Sequence, residues 1–255
     1  MIVIKSAAEI AKMRKSGLIL AQILAEIGEQ IKPGMTTAQL DQIASRILAQ
    51  HQAESPFLGY PNRQNPRIPF PAHICTSVNE EIVHGIPGKR RLVEGDVVSV
   101  DCGVRYQGWI ADGAWTFAVG RISPAAERLL KVTEQALLST IAVMQVGART
   151  GDVGYATQQA VEPHGFQVLR NHTSHGVGRS LHEDPQIYNY GTPGQGVALR
   201  AGMTIAVEPM VLAGSAETIV LADGWTVAAA DKCLTAHFEH TVAVTADGPQ
   251  ILTCL

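Results

Sequence analysis

The stretch GDVVSVD, Gly95 to Asp101, decides how this chain is read. A glycine turn leads into β-branched Val97, Val98 and Val100, the composition of a buried strand, yet the run ends on a carboxylate. A buried charge without a partner costs several kcal/mol, or its pKa shifts until it is neutral. The same pattern returns at an offset of 107 as GMTIAVE, Gly202 to Glu208: a glycine turn, an apolar strand and a terminal acid.

Working outward, further pairs appear in the same order. IKPGMTTAQLDQIASRIL (31–48) resembles MQVGARTGDVGYATQQAV (144–161), with Gly34 and Thr37 matching Gly147 and Thr150 at an offset of 113. Each copy reads as a helix opened by a threonine N-cap, Thr37 or Thr150, and Thr36 with Gln39 adds a capping box. An amphipathic helix precedes each copy, roughly 7–30 and 124–144. The first carries the capping pair Ser6 and Glu9, and the second starts at Ser123-Pro124, a cap followed by proline at the first helical position. HGIP (84–87) is echoed by HGVG (175–178). The repeat is too long for a solenoid. It predicts one α+β body, a single domain over 1–255, built of two pseudo-symmetric halves at about 5–120 and 121–250.

The bulk numbers fit that body. Of 255 residues, 46% are hydrophobic and 17% charged, enough for a full core. A net charge of -3 and a pI near 6.3 argue against a nucleic-acid or anionic-membrane binder. No run of 18 apolar residues suggests a membrane span, and MIVIKSAAEI lacks the order of a signal peptide. Cys75, Cys102, Cys233 and Cys254 are scattered, without a C-x-x-C pair, and read as reduced thiols. A cytoplasmic protein is expected.

Two further strands carry one acid each: Asp112 in IADGAWTFAV (110–119) and Glu239 in AHFEHTVAV (236–244). Side chains alternate across a strand. Asp101 therefore shares its face with Ser99 and Val97, Glu208 with Ala206 and Thr204, Asp112 with Ala114 and Thr116, and Glu239 with Thr241 and Ala243. Val98, Val100, Ile205, Val207, Phe238 and Val242 fill the opposite faces. Four acids gathered by two paired halves would repel unless cations neutralise them. His175, set among small residues in TSHGVG, can join them. By alternation His172 and His240 face away, and His51, His73, His164 and His237 read as ordinary surface or core histidines. One imidazole and four carboxylates suit a pair of divalent ions better than a structural zinc. Two such ions about 3.5–4 Å apart activate a water and polarise a carbonyl, which is hydrolytic chemistry.

At these residues the sequence resembles the type I methionine aminopeptidases, in the bacterial form without a zinc-finger extension. The match is carried in order by IKSAAEIAKMRKSG, ICTSVNEEIVHGIP, GDVVSVDCGV, GWIADGAWTFAVG, SHGVGRSLHEDPQI, MTIAVEPM, DGWTV and FEHTVAV. The resemblance implies the pita-bread fold, two pseudo-symmetric α+β halves around an antiparallel sheet. It implies that Asp112 and Glu239 bridge two ions, one completed by His175 and Glu208 and the other by Asp101. Mn, Fe, Co and Zn all suit such a set. Histidines outside the ligand set would also act: His182 on the scissile amide, His84 in positioning substrate and moving protons. Glu208 would double as general base. The pocket for a methionine side chain would draw on Tyr60, Cys75 and Trp225, with Phe57, Phe70 and Leu181; thioethers pack well against aromatic rings.

The resemblance further implies a monomer that removes the initiator methionine from nascent chains when the second residue is small, meeting the ribosome transiently. The chain departs from the family pattern in two places. NHTSHG replaces the common Cys-Gly before the ligand histidine, and Leu181 stands where an aromatic is frequent. These are expected to alter pocket shape and to leave the metal set alone. The 60–71 loop is longer than in the shortest members, and the region of Asn79 is a candidate monovalent-cation site. Two other readings stay open: an Xaa-Pro peptidase of the same fold, and a non-catalytic pita-bread binder of ribosomes or RNA.

Overall fold

The structure is a computed structural model that describes residues 2–62 and 65–255. Arg63 and Gln64, within the 60–71 loop, lie outside the described residues. The first half runs α1 (Ala7–Gln30), α2 (Thr37–His51), β1 (Ile74–Val78), β2 (Glu81–Val83), β3 (Val97–Tyr106) and β4 (Trp109–Ala118). The second begins with α3 (Pro124–Ala142) and α4 (Thr150–Val161), followed by β5 (Gln167–Val168), β6 (Thr173–Gly176) and β7 (Glu183–Tyr188). Then come β8 (Thr204–Val207), β9 (Met210–Leu212), β10 (Thr218–Val220), β11 (Val227–Ala229), β12 (Thr235–His237), β13 (His240–Thr245) and β14 (Gly248–Ile251).

Both halves use one plan. In the first, β3 lies between β1 and β4; in the second, β8 lies between β6 and β13, all antiparallel. The likeness extends to single atoms. Gly34 and Gly147 both take the left-handed conformation, φ 91° and 94°, and donate to the carbonyls of Leu92 and Leu199 at 2.7 and 3.0 Å. Gly95 and Gly202 match likewise at φ 96° and 90°. A side chain there would strain the backbone, so glycine fixes both turns.

The helices start almost where their caps indicate. Ser6 and Glu9 form the capping box of α1, Thr36 and Gln39 that of α2, and Ser123 caps α3. The capping threonines Thr37 and Thr150 are displaced by one residue: Thr36 and Arg149 are the caps, and Thr37 and Thr150 are the first helical residues. Their hydroxyls bind outward instead. Thr37 Oγ1 accepts from Gly88 N–H at 2.8 Å, and Thr150 Oγ1 from Val197 N–H at 3.1 Å, tying each helix start to a crossing segment.

Strand alternation sorts the side chains as expected. Val98, Val100, Cys102 and Val104 pack with Leu20, Ile23, Ile27 and Leu40 in one core. Ile205, Val207, Phe238 and Val242 pack with Leu129, Leu137 and Val153 in another. Each of these large side chains contributes about 1.5–3 kcal/mol by leaving water. Each half thus has its own core under its helices, and the opposite sheet faces are left for polar groups. The halves meet along β4, where Glu239 N–H donates to Ala114 C=O at 2.9 Å and Ala114 N–H to Glu239 C=O at 3.3 Å. Thr241 Oγ1 and the Asp112 main chain exchange two more bonds, each 2.8 Å. Glu239 therefore sits on the seam, in a break between β12 and β13 and not inside one strand as 236–244 suggested.

Candidate active site

A cavity of about 830 Å³ opens over this seam. Asp101, Asp112, Glu208 and Glu239 line it together with His175, two acids from each half. His84, His182, Tyr60, Cys75, Trp225, Phe57, Phe70 and Leu181 line the same cavity. The structure thus brings all thirteen residues singled out in the sequence to one place.

The geometry of the acids is that of a cation site. Asp112 and Glu239 are buried, and Asp101 Oδ1, Asp112 Oδ1 and Glu239 Oε1 have no hydrogen-bond partner. Burial pushes the Asp101 carboxyl up to about 7, with the Glu208 charge adding to the rise and His237 opposing it. Burial lifts Asp112, Glu208 and Glu239 well above the usual carboxylate range, and repulsion from the other acids adds to this for Asp112 and Glu239. An acidic cluster with orphaned oxygens and, among the described residues, no lysine or arginine on the cavity wall fits divalent cations. Asp112, His175 and Glu239 can each offer one atom within 4.8 Å of the others, and so can Glu208, His237 and Glu239. His175 Nε2 lies 3.6 Å from Glu208 Oε1 and 3.7 Å from Asp112 Oδ2, while its Nδ1 faces the Gly176 carbonyl at 2.9 Å. That contact makes Nδ1 the protonated nitrogen and leaves Nε2 as a free donor pair aimed at the acids.

The other histidines form the cavity wall. The Tyr60 hydroxyl lies 2.7 Å from His182 Nδ1, and the His182 ring stands 4.3 Å from that of His175, centroid to centroid. His84 is held at φ 62°, 5.5 Å from the His172 ring and 6.4 Å from Trp225. Burial, reinforced by the neighbouring histidines, lowers its pKa to about 3. Trp225 packs edge-on against Phe70 at 5.2 Å and donates Nε1–H to Ile68 C=O. The loop bearing Leu181 and His182 is pinned by Glu183, which accepts from Arg179 and Ser180 N–H and pairs with buried Lys5 at 2.6 Å.

Three expectations need correction. His172 was expected to face away, but it precedes β6, where strand alternation does not apply, and it lines the cavity opposite His84. His237, set aside as ordinary, lies 3.5 Å from Glu208 Oε2 and 3.8 Å from Glu239 Oε2. The signal that could have found it is parity, since His237 stands two residues before Glu239. The Ser174 departure also reaches the acids, because its hydroxyl accepts the Glu208 N–H at 3.0 Å. His240 does face away, toward Thr253.

Comparison with known proteins shows the family. The model of metallopeptidase family M24 matches residues 11–246. The chain is 45% identical to a methionine aminopeptidase of Clostridium perfringens, over all of both chains. It is 46% identical to methionine aminopeptidase 1 of Bacillus subtilis, over 99% of each. A crystal structure of methionine aminopeptidase from Thermotoga maritima superposes over the full length of both chains, with a TM-score of 0.95 and 44% identity. The prolidase of Pyrococcus furiosus, 20% identical with a TM-score of 0.80 over 99% of this chain and 66% of its own, shares the fold alone. With its twin α+β halves, its seam of acids and these relatives, the chain belongs to the methionine aminopeptidases of metallopeptidase family M24.

Proposed function

We infer that this chain is a divalent-metal-dependent aminopeptidase that removes the initiator methionine from polypeptides whose second residue is small. The observation that carries the reading is the meeting of four buried carboxylates and His175 with an apolar, aromatic-walled pocket in one cavity. Asp112 and Glu239, nearest the seam, are assigned as shared ligands of two ions. His175 and Glu208 complete one position and Asp101 the other. When bound, the ions supply Lewis-acid polarisation of the scissile carbonyl and acidify a water.

The remaining work falls to the protein. Tyr60, Cys75, Phe57, Phe70, Leu181 and Trp225 enclose a thioether side chain and exclude water from it. His182, whose Nδ1 lies 2.7 Å from the Tyr60 hydroxyl, is assigned to the scissile amide, with Tyr60 orienting its ring. His84, kept neutral by burial, positions the substrate through a hydrogen bond and not through charge. Glu208, on the cavity wall beside His175, is also assigned as the acceptor of the proton from the attacking water. The enzyme is placed in the cytoplasm as a monomer acting on nascent N-termini at the ribosome. Its four free thiols and the lack, among the described residues, of any helix able to cross a membrane accord with that placement.

The test is methionine release from Met-Ala-Ser and Met-Gly-Ser peptides after loading with Mn, Co, Fe or Zn. Failure with all four metals refutes the activity. Preferential cleavage of Ala-Pro-Ser would reassign it to an Xaa-Pro peptidase, and a protein that binds no ion stoichiometrically would be a non-catalytic binder.

A further inference from the structure

His237 has no role in the ligand set assigned above, yet its setting is not that of an ordinary core histidine. It is 1% exposed, and neither ring nitrogen has a hydrogen-bond partner. Buried polar atoms of this kind are costly and rare, so the ring calls for a partner. Its main chain is locked from both sides, as His237 N–H donates to Thr116 Oγ1 at 2.9 Å and Thr116 Oγ1 donates to His237 C=O at 2.8 Å. The next residue, Phe238, is anchored in the core of the second half. The imidazole is therefore held facing the acids.

The distances discriminate between two uses of the ring. At 3.5 Å from Glu208 Oε2 and 3.8 Å from Glu239 Oε2, Nε2 is too far for a hydrogen bond, which spans about 2.7–3.2 Å. Donor atoms sharing one divalent ion at bond lengths near 2.1 Å stand roughly 3.0–3.4 Å apart. The two spacings lie close to that range and match those of His175, at 3.6 and 3.7 Å from its acids. Glu208 turns one oxygen to each ring, Oε1 toward His175 and Oε2 toward His237.

We propose that His237 is a sixth protein ligand, closing with Glu208 and Glu239 a second nest that shares Glu239 with the nest of Asp112, His175 and Glu239. The inference rests on the metallopeptidase reading and deepens it. Glu208, assigned above to the His175 position, then reaches both positions, with Oε1 on the side of His175 and Oε2 on that of His237, whose ring also lies within electrostatic reach of Asp101. Each position carries an imidazole and neither is an all-oxygen site. Nitrogen donors favour ions late in the first-row series, so this chain should hold Co²⁺ or Zn²⁺ over Mn²⁺ more strongly than an acid-only second position would allow.

The experiment is pulsed electron paramagnetic resonance of the full-length, Mn²⁺-loaded protein with ¹⁵N-histidine, alongside calorimetric titration of the wild type, His237→Gln and His237→Asn. Two metal-coupled imidazoles are expected in the wild type and one in either variant, with affinity for one ion lower by about tenfold or more. A single coupled imidazole in the wild type overturns the proposal without needing any variant to fold. So does a variant whose nitrogen couplings are unchanged, even if its affinity falls, because His237 would then act only through Glu208. A wild type that binds no ion at all would remove the parent reading instead.

Discussion

Stripping the metal should make this protein less stable as pH rises through the slightly alkaline range, the reverse of what surface carboxylates do. In an unfolded chain the acids titrate near pH 4 and the histidines near 6.5. In the folded, metal-free protein burial raises Asp101 to about 7 and Asp112, Glu208 and Glu239 well beyond the carboxylate range. Above pH 7 the folded state thus holds protons that the unfolded state has lost. Stability changes with pH in proportion to protons bound unfolded minus folded, so the slope is negative. The buried histidines act oppositely, since burial lowers His84 to about 3 and His175 to about 4, but their stabilising rise is largely complete by pH 7.5. From pH 7.5 to 8.5, where Asp101 has largely ionised, each proton still held by Asp112, Glu208 or Glu239 costs about 1.4 kcal/mol per pH unit, or roughly 3–6 °C in Tm for a chain of this size. Burial also raises Cys75 and Cys102, and the metal-loaded protein carries the same thiols, so the difference between the two forms isolates the acids. The assay is calorimetric Tm across that window with chelator and with saturating Mn²⁺. A metal-free Tm that stays level with or rises against the loaded one would show that the acids ionise together unaided, and the argument for cations would fail.

Two further substitutions probe the supports of the site. Tyr60→Phe keeps the aromatic wall but removes the hydroxyl 2.7 Å from His182 Nδ1; kcat should fall by about fivefold to tenfold, with KM for a Met-Ala peptide held within about twofold. An equal loss in KM would mean that Tyr60 serves binding alone. Lys5→Met leaves the Glu183 carboxylate buried without its partner, at a cost of about 3–5 kcal/mol by denaturant titration, and loosens the loop bearing Leu181 and His182. Wild-type stability in that variant would show the pair to be better solvated than its burial indicates.

What could be read from the sequence was whatever depends on neighbours along the chain. Val98 and Val100 against Ser99 and Asp101 encode which face is core, and the structure sorts them so. Caps and glycine turns are equally local, though Thr37 and Thr150 show that a hydroxyl one residue into a helix can be claimed by a crossing segment. His237 and His172 were missed because their surroundings are assembled from both halves. Alternation within 236–244 would have paired His237 with Glu239, but the strand breaks between them, and only the fold sets the ring beside Glu208. His172 lies just outside β6, where alternation has no force.

The reciprocal main-chain bonds between Ala114 and Glu239 have a consequence for descent. Amide and carbonyl groups are common to nearly all residues, so a joint made from them tolerates wholesale replacement of the side chains around it. The chassis can then be kept through descent while the rim of the cavity is rewritten.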